Sequence, residues 1–144
     1  MDLEARQKLI DWIDSIGHSY STETAIPLDL YFAGNTEQFC IITCNTSKGI
    51  SAERLHKELC AIRDRDDVES IFVRFTSYDD AFVDEDTWIN SDTVWIVTTA
   101  SAEHVSEWVG DLCPSDVYEE VVDDSFVNPP AIPPGYRMVA VWWD

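Results

Sequence analysis

Four residues in the first half of the chain have the side chains of a zinc site. A C-x3-C…H-x3-C pattern of thiols and an imidazole is formed by Cys40, Cys44, His56 and Cys60. Zinc binds such ligands tetrahedrally at about 2.0–2.3 Å. Residues 38–44, however, are predicted to form a strand, and four strand residues span about 13 Å. Because Cys40 and Cys44 cannot both reach one ion across that distance, we expect no metal here and treat Cys60 as a small buried apolar group.

The other candidate chemical groups form no known catalytic or ion-binding motif. His18, His56 and His104 lie outside patterns such as H-E-x-x-H, and the five glycines are scattered rather than grouped in a phosphate-binding loop. The acidic residues 84–86 lack the spaced oxygens and distal glutamate of an EF-hand loop. The sequence therefore predicts a chain with no catalytic residues, no metal ligands and no cofactor.

The charge of the chain is strongly negative and unevenly distributed. The net charge is −19. Residues 1–72 carry 13 acidic and seven basic side chains, a net of −6, whereas residues 73–144 carry 15 acidic and two basic ones, a net of −13. Such a field repels nucleic acids and anionic membranes and accelerates encounter with a basic partner. An alternative is that the acidic residues only keep the protein soluble and monomeric.

The clearest structural pattern lies in residues 92–112, which predict a strand followed by a helix. Val94, Ile96 and Thr98 alternate with larger and β-branched neighbours, as in a strand. Ser101 is a typical helix N-cap residue. The helix is expected to bury one stripe of residues at helical spacing, namely Val105, Trp108, Val109 and Leu112.

The N-terminal part of the chain predicts a helix and a hairpin. Asp2 is expected to cap the helix and Gly17 to end it. Two β-like runs, residues 28–33 and residues 38–44, flank a glycine–asparagine turn signal. We therefore expect these two runs to form paired strands.

The order of the later elements predicts an α+β fold with a ferredoxin-like split βαβ sandwich. Residues 1–144 form one domain, with residues 1–33 as an N-terminal helix and edge-strand extension. Residues 38–143 form the ferredoxin-like core, a mainly antiparallel sheet with two helices on one face. Residues 113–132 are expected to be irregular. The core elements in order are strand 38–44, helix 51–63, strand 68–76, strand 93–99, helix 101–112 and strand 136–143.

The predicted strands carry apolar residues on both faces, so both faces of the sheet need a cover. The first helix is the expected cover of the second face. A second copy of the protein and a bound ligand are the alternatives, so the sequence leaves open whether the protein is a monomer or a homodimer. No basic groove accompanies the aromatic residues of the strands, which argues against nucleic acid as a partner.

The sequence lacks an apolar run long enough for a membrane span and a secretory signal pattern. We therefore expect a cytoplasmic location, no membrane association and four reduced cysteines.

These observations predict a non-catalytic, acidic protein-interaction module for a basic protein partner. An inhibitor, an immunity protein or a regulator of a nuclease or another nucleic-acid-binding protein fits this description. The alternative is a small-molecule-binding or enzymatic domain that uses the aromatic sheet face as a pocket wall. The partner-binding residues are expected to be Tyr78, Asp79, Asp80, Asp84, Glu85, Asp86, Trp88, Tyr118, Glu119 and Glu120.

Overall fold

The computed structural model describes residues 2–19, 22–43, 49–75 and 87–144. None of the helices in these ranges has the length and hydropathy to cross a bilayer. The helices are α1 (Leu3–Ser15), α2 (Leu28–Phe32), α3 (Ala52–Arg63) and α4 (Ala102–Trp108), and the strands are β1 (Thr24–Pro27), β2 (Val68–Phe75), β3 (Thr93–Thr98), β4 (Asp116–Glu120) and β5 (Arg137–Trp142).

The strands form one antiparallel sheet in the order β1-β2-β3-β5-β4. The α+β class and the antiparallel sheet are therefore confirmed. The ferredoxin-like arrangement is not confirmed, because the predicted strand 38–44 takes no part in the described sheet and β3 pairs directly with β5. Backbone pairing across the sheet, rather than the strand–helix–strand order along the chain, decides this topology.

Side chains cap three of the four described helices, as the sequence predicts for Asp2 and Ser101, whereas α2 follows Pro27 and has no side-chain cap. Asp2, Ser51 and Ser101 each accept a hydrogen bond from a backbone N–H of the first helical turn. Gly17 follows α1 with a φ of 82°, a left-handed conformation that favours glycine. The helix-side core joins residues from all four helices and from alternate strand positions, among them Leu9, Ile13, Tyr31, Leu55, Leu59, Val94, Ile96, Val105, Val139 and Trp143.

The second face of the sheet is covered by a segment without regular structure. Trp95 is fully buried there, and the ring of Phe126 lies with its centroid 4.9 Å from the Trp95 ring. The prediction that the first helix covers this face is wrong, because Leu9 and Ile13 of α1 belong to the helix-side core. The covering residues come from the chain between β4 and β5, namely Val122, Phe126 and Ile132.

The predicted hairpin of residues 28–33 and 38–44 is also wrong. Residues 28–32 form helix α2, in which Leu28, Tyr31 and Phe32 are buried at helical i, i+3, i+4 spacing. This short apolar run fits both the 3.6-residue period of a helix and the two-residue period of a strand, and packing against α3 selects the helix. Residues 41–43 form a 3₁₀ turn that is closed by local hydrogen bonds to the Cys40 carbonyl. Residue 44 lies outside the described part.

Strand β4 was predicted to be irregular, and this prediction is wrong. Its sequence is mainly acidic, and only Val117 packs against the helix-side core. The strand forms because β5 offers a free edge to which the whole of β4 pairs, from Asp116 opposite Trp142 to Glu120 opposite Met138. A weak local preference is here overridden by backbone hydrogen bonding.

Candidate functional site

The predicted binding residues are divided by the structure into three groups. Six of them lie outside the described residues, namely Tyr78, Asp79, Asp80, Asp84, Glu85 and Asp86. Trp88 is in the core, with 1% of its surface exposed, and its indole N–H donates to the Tyr31 carbonyl at 2.8 Å. Trp88 therefore anchors its segment to the helix side and does not present its ring to a partner. The remaining three residues, Tyr118, Glu119 and Glu120, lie on β4.

The three β4 residues do not share one surface. Side chains alternate along a strand, and Val117 packs on the helix-side core. Glu119 accordingly lies on the helix side of the sheet, where it is 3.8 Å from Arg137 Nη1. Tyr118 and Glu120 lie on the second face, together with Asp116.

An acidic and aromatic patch is built around Tyr118 on this second face. Asp116 is opposite Trp142 in the β4–β5 register, and the Trp142 indole N–H donates to Asp92 Oδ2 at 3.4 Å. Tyr118 is 36% exposed. We define the acidic-aromatic surface as Asp92, Asp116, Tyr118, Glu120 and Trp142.

Several charged side chains act on the Tyr118 hydroxyl. Burial raises the pKa of Tyr118 above its ordinary value, and the Glu120 carboxylate raises it further. Arg74 opposes this shift, and the Asp92 and Asp116 carboxylates raise the pKa by smaller amounts. The phenol therefore stays protonated at neutral pH and can donate a hydrogen bond. Carboxylates beside two aromatic rings suit a guanidinium or an ammonium group.

Glu120 is held in place by the core beneath it. The Trp95 indole N–H donates to Glu120 Oε2 at 2.6 Å. This bond satisfies a polar atom of a fully buried ring and orients the carboxylate along the sheet face. Four of the five residues of the acidic-aromatic surface lie on β4 and β5, and Asp92 directly precedes β3, so the sheet keeps the surface in a defined geometry.

The basic residues in the second half of the chain already have acidic partners. Arg74 makes two hydrogen bonds of 2.7 Å to the Glu23 carboxylate, which raises the pKa of Arg74 above its ordinary value. Arg137 is paired with Glu119. These are the two basic residues in positions 73–144. The carboxylates around Tyr118 consequently keep an excess of negative charge.

A second group of polar side chains joins α2 and α3. Asp29 Oδ1 is 3.0 Å from His56 Nε2, and Asp29 Oδ2 is 3.0 Å from Arg63 Nη1. Cys60 lies one helical turn after His56, and its Sγ is 3.6 Å from Arg63 Nη2. The Phe32 ring is stacked on the His56 ring, with centroids 4.9 Å apart.

The ionisation of this group follows from its contacts. The hydrogen bond from His56, followed by the interactions with Arg63, lowers the pKa of Asp29. Burial raises the pKa of Cys60. The thiol is therefore protonated at neutral pH and is not an activated nucleophile. We refer to these residues, Asp29, His56, Cys60 and Arg63, as the α2–α3 cluster.

The C-x3-C…H-x3-C pattern contributes only two of its members to the α2–α3 cluster. Cys40 is buried in the helix-side core, and Cys44 lies outside the described residues. Asp29, rather than Cys40 or Cys44, is the third potential ligand beside His56 and Cys60. It was missed because residues 28–33 were expected to be a strand, and the position of α2 against α3 has no signal in the local sequence.

Comparison with known proteins relates nearly the whole chain to one family. Residues 4–141 match the model of the Uncharacterized protein YfbO family. The Uncharacterized protein YfbO of Escherichia coli (strain K12) is 26% identical over 143 residues, which are 99% of this chain and 98% of that protein. No solved structure shows a significant similarity to this chain. Because the family match covers far more than half of the sequence, the chain belongs to the Uncharacterized protein YfbO family.

Proposed function

We propose that this protein is a non-catalytic interaction module that binds a basic surface of another protein through the acidic-aromatic surface. The observation that carries the proposal is the partly exposed Tyr118 ring with three carboxylates acting on its hydroxyl. The basic residues of the same half of the chain, Arg74 and Arg137, are engaged with Glu23 and Glu119. Arg74 also acts on Asp92 and Glu120, but its charge is balanced by Glu23, so the surface keeps a net negative charge that a cationic group of a partner would complement.

Each part of the surface has a role in such a complex. The carboxylates of Asp92 and Asp116 steer a positively charged partner and accept its hydrogen bonds. Tyr118 and Trp142 offer ring faces to a Lys or Arg side chain and are the residue types that most often dominate binding energy. The edge strand β4 adds an extended backbone beside them.

The partner class follows from the charge. A nuclease or another nucleic-acid-binding protein has a basic groove that already attracts polyanions. The role is then that of an inhibitor, an immunity protein or a regulator. A cytoplasmic location, as expected from the sequence, is part of this proposal.

The small-molecule alternative has less support. It needs the aromatic sheet face as an open pocket wall. In the described structure Phe126 lies over Trp95, and Met138 and Ala140 beside it are buried. The inner part of that face is thus filled by side chains of the protein itself, which favours the surface around Tyr118 over an internal pocket.

The test compares charge-matched variants in affinity capture from a lysate at low and high salt. Asp92→Asn with Asp116→Asn removes two charges from the surface while keeping the side-chain oxygens that accept from Thr93 and from the Val117 N–H. We expect retained basic proteins to bind about tenfold more weakly to this variant, and the Tyr118→Ala variant to bind about 30-fold more weakly.

The matched control is Glu103→Gln with Glu107→Gln on α4, which removes two exposed charges from the helix side. We expect its binding to change less than twofold. Equal weakening by both pairs would mean that the net charge, rather than this surface, attracts the partner, and would contradict the proposal. Unchanged capture by Tyr118→Ala would contradict it as well.

A further inference from the structure

The α2–α3 cluster brings together three different metal-binding side chains on two helices. His56 and Cys60 are four residues apart on α3 and therefore lie on the same helical face. Asp29 reaches them from α2, which packs against α3. One donor atom from each of the three side chains lies within 4.8 Å of the others. Stacking on Phe32 orients the His56 ring.

From this geometry we propose that Asp29, His56 and Cys60 form a binding site for a transition-metal ion of the zinc class. This inference is independent of the proposed protein-binding function, which uses the other side of the sheet. A carboxylate, an imidazole and a thiolate are ligands that zinc accepts, whereas Mg²⁺ and Ca²⁺ prefer oxygen alone.

The observed distances are compatible with tetrahedral coordination. Bonds of about 2.0–2.3 Å to the metal place tetrahedral ligands about 3.3–3.8 Å from each other. Asp29 Oδ1 and His56 Nε2 are 3.0 Å apart, and no pair among the three donor atoms exceeds 4.8 Å. Small side-chain rotations are therefore sufficient. Three protein ligands leave the fourth position for water or another ligand, as in zinc sites that perform reactions.

Arg63 fits the part of an outer partner of this site. It contacts Asp29 through Oδ2, which leaves Oδ1 for the metal, and its second nitrogen is near Cys60 Sγ. Such outer contacts orient metal ligands and balance their charge. On binding, the Cys60 S–H bond breaks, an S–metal bond forms and the thiol proton leaves to the solvent. The metal also replaces the proton that His56 Nε2 donates to Asp29 Oδ1, and the neutral imidazole then carries its proton on Nδ1.

Cobalt(II) titration of the whole protein tests the proposal, because thiolate-bound Co²⁺ has a charge-transfer absorption that carboxylate or imidazole sites lack. We expect one equivalent of Co²⁺ to produce this absorption and Zn²⁺ to abolish it by displacement. Cys60→Ser should remove the band, whereas Cys113→Ser, at a thiol outside the cluster, should keep it.

Two further variants separate a ligand from an outer partner. We expect His56→Ala to weaken Zn²⁺ binding by at least tenfold, with His104→Ala as the unaffected control. Arg63→Met should weaken binding about 10–100-fold. Tighter binding by Arg63→Met would overturn its role as an outer partner and show that it competes with the metal.

The proposal is overturned if wild-type protein gives no thiolate absorption with Co²⁺, or if the band persists in Cys60→Ser or vanishes in Cys113→Ser. None of these results affects the capture experiment at the acidic-aromatic surface. The two proposals can therefore fail separately.

Discussion

At the β1 edge of the sheet, another segment of the chain forms hydrogen bonds with the backbone in and next to β1. At the β4 edge, no further strand follows among the residues that the structure describes. Next to β1, the Glu23 N–H donates to the Ser125 carbonyl at 2.7 Å and the Val127 N–H donates to the Glu23 carbonyl at 2.9 Å. The Asn128 amide then makes two hydrogen bonds to the backbone of Ala25. The Asn128 side chain thus makes the backbone hydrogen bonds that a neighbouring strand would otherwise make.

At the β4 edge the protection is electrostatic. The Val117 N–H donates to the carboxylate of Asp116, and residues 116–124 contain five acidic and no basic side chains. Unpaired strand edges invite pairing with other chains, and charge is one of the means by which proteins prevent it. The β1 edge is thus closed by hydrogen bonds that stabilise the fold, whereas the β4 edge stays accessible and carries the acidic-aromatic surface.

The strongest test of this difference replaces one apolar residue near each edge. Phe126→Ala should lower the free energy of unfolding by about 3–5 kcal/mol, because the ring packs on Trp95 and is nearly buried. Val121→Ala, in which the side chain is 79% exposed, should change it by less than about 0.5 kcal/mol. Urea unfolding measures both, and equal losses would remove the distinction between the two edges.

A smaller effect is expected from the amide that closes the β1 edge. Asn128→Ala leaves the N–H and carbonyl of Ala25 without these partners and should cost about 1–3 kcal/mol. Asp116→Asn at the other edge keeps an acceptor for the Val117 N–H and should stay within about 0.5 kcal/mol. Urea unfolding measures both variants. A loss of stability in Asp116→Asn as large as that in Asn128→Ala would contradict the proposed difference between the two edges.

The smallest effect depends on pH. Hydrogen bonds from Ser125 to the Asp123 carboxylate lower the pKa of Asp123 below its ordinary value, which is about 3.9. Because the folded-state pKa is the lower one, this stabilisation is present above about pH 3.9 and is lost as the pH falls through the lowered value. Asp123→Ala should therefore be less stable than wild type at pH 7, with a smaller difference at pH 3.

Ser125→Ala provides the matched control for that experiment, since it removes the hydroxyl donor and keeps the backbone N–H donor. We expect Ser125→Ala to lose part of the stability that Asp123→Ala loses at pH 7. Its effect on stability should be smaller in the Asp123→Ala background than in the wild-type protein. A wild-type advantage that grows toward pH 3 would contradict the assigned sign.

Much of the fold could be predicted from short-range patterns. The helices over residues 3–15 and 52–63 each begin after a side chain that caps the first turn, and each buries apolar residues at helical spacing. The strands over residues 68–75, 93–98 and 137–142 follow from their β-branched alternation. Each of these signals is strong within one element and does not require a distant partner.

The errors in the fold arose where local signals were weak or ambiguous. Residues 28–32 fit both a helical and a strand period, and only their packing against α3 selects the helix. Residues 116–120 carry too few apolar side chains to indicate a strand, and pairing with β5 produces one. The cover of the second sheet face is likewise formed by a segment with no regular pattern.

The candidate sites show the same division. Tyr118 and Glu120 were identified from acidity and aromaticity, but Asp92 and Trp142 join them only because β3, β5 and β4 are adjacent in the sheet. Likewise, His56 and Cys60 stood out by their spacing, whereas Asp29 could not be found without the contact between α2 and α3.

The sequence by itself determined the starts of α1, α3 and α4 and the excess of negative charge, because these depend on residue types at short separation. The tertiary structure alone decided which strands are neighbours and which helices touch. For that reason it also decided which side chains surround Tyr118 and which surround His56, since those contacts join residues that are far apart along the chain.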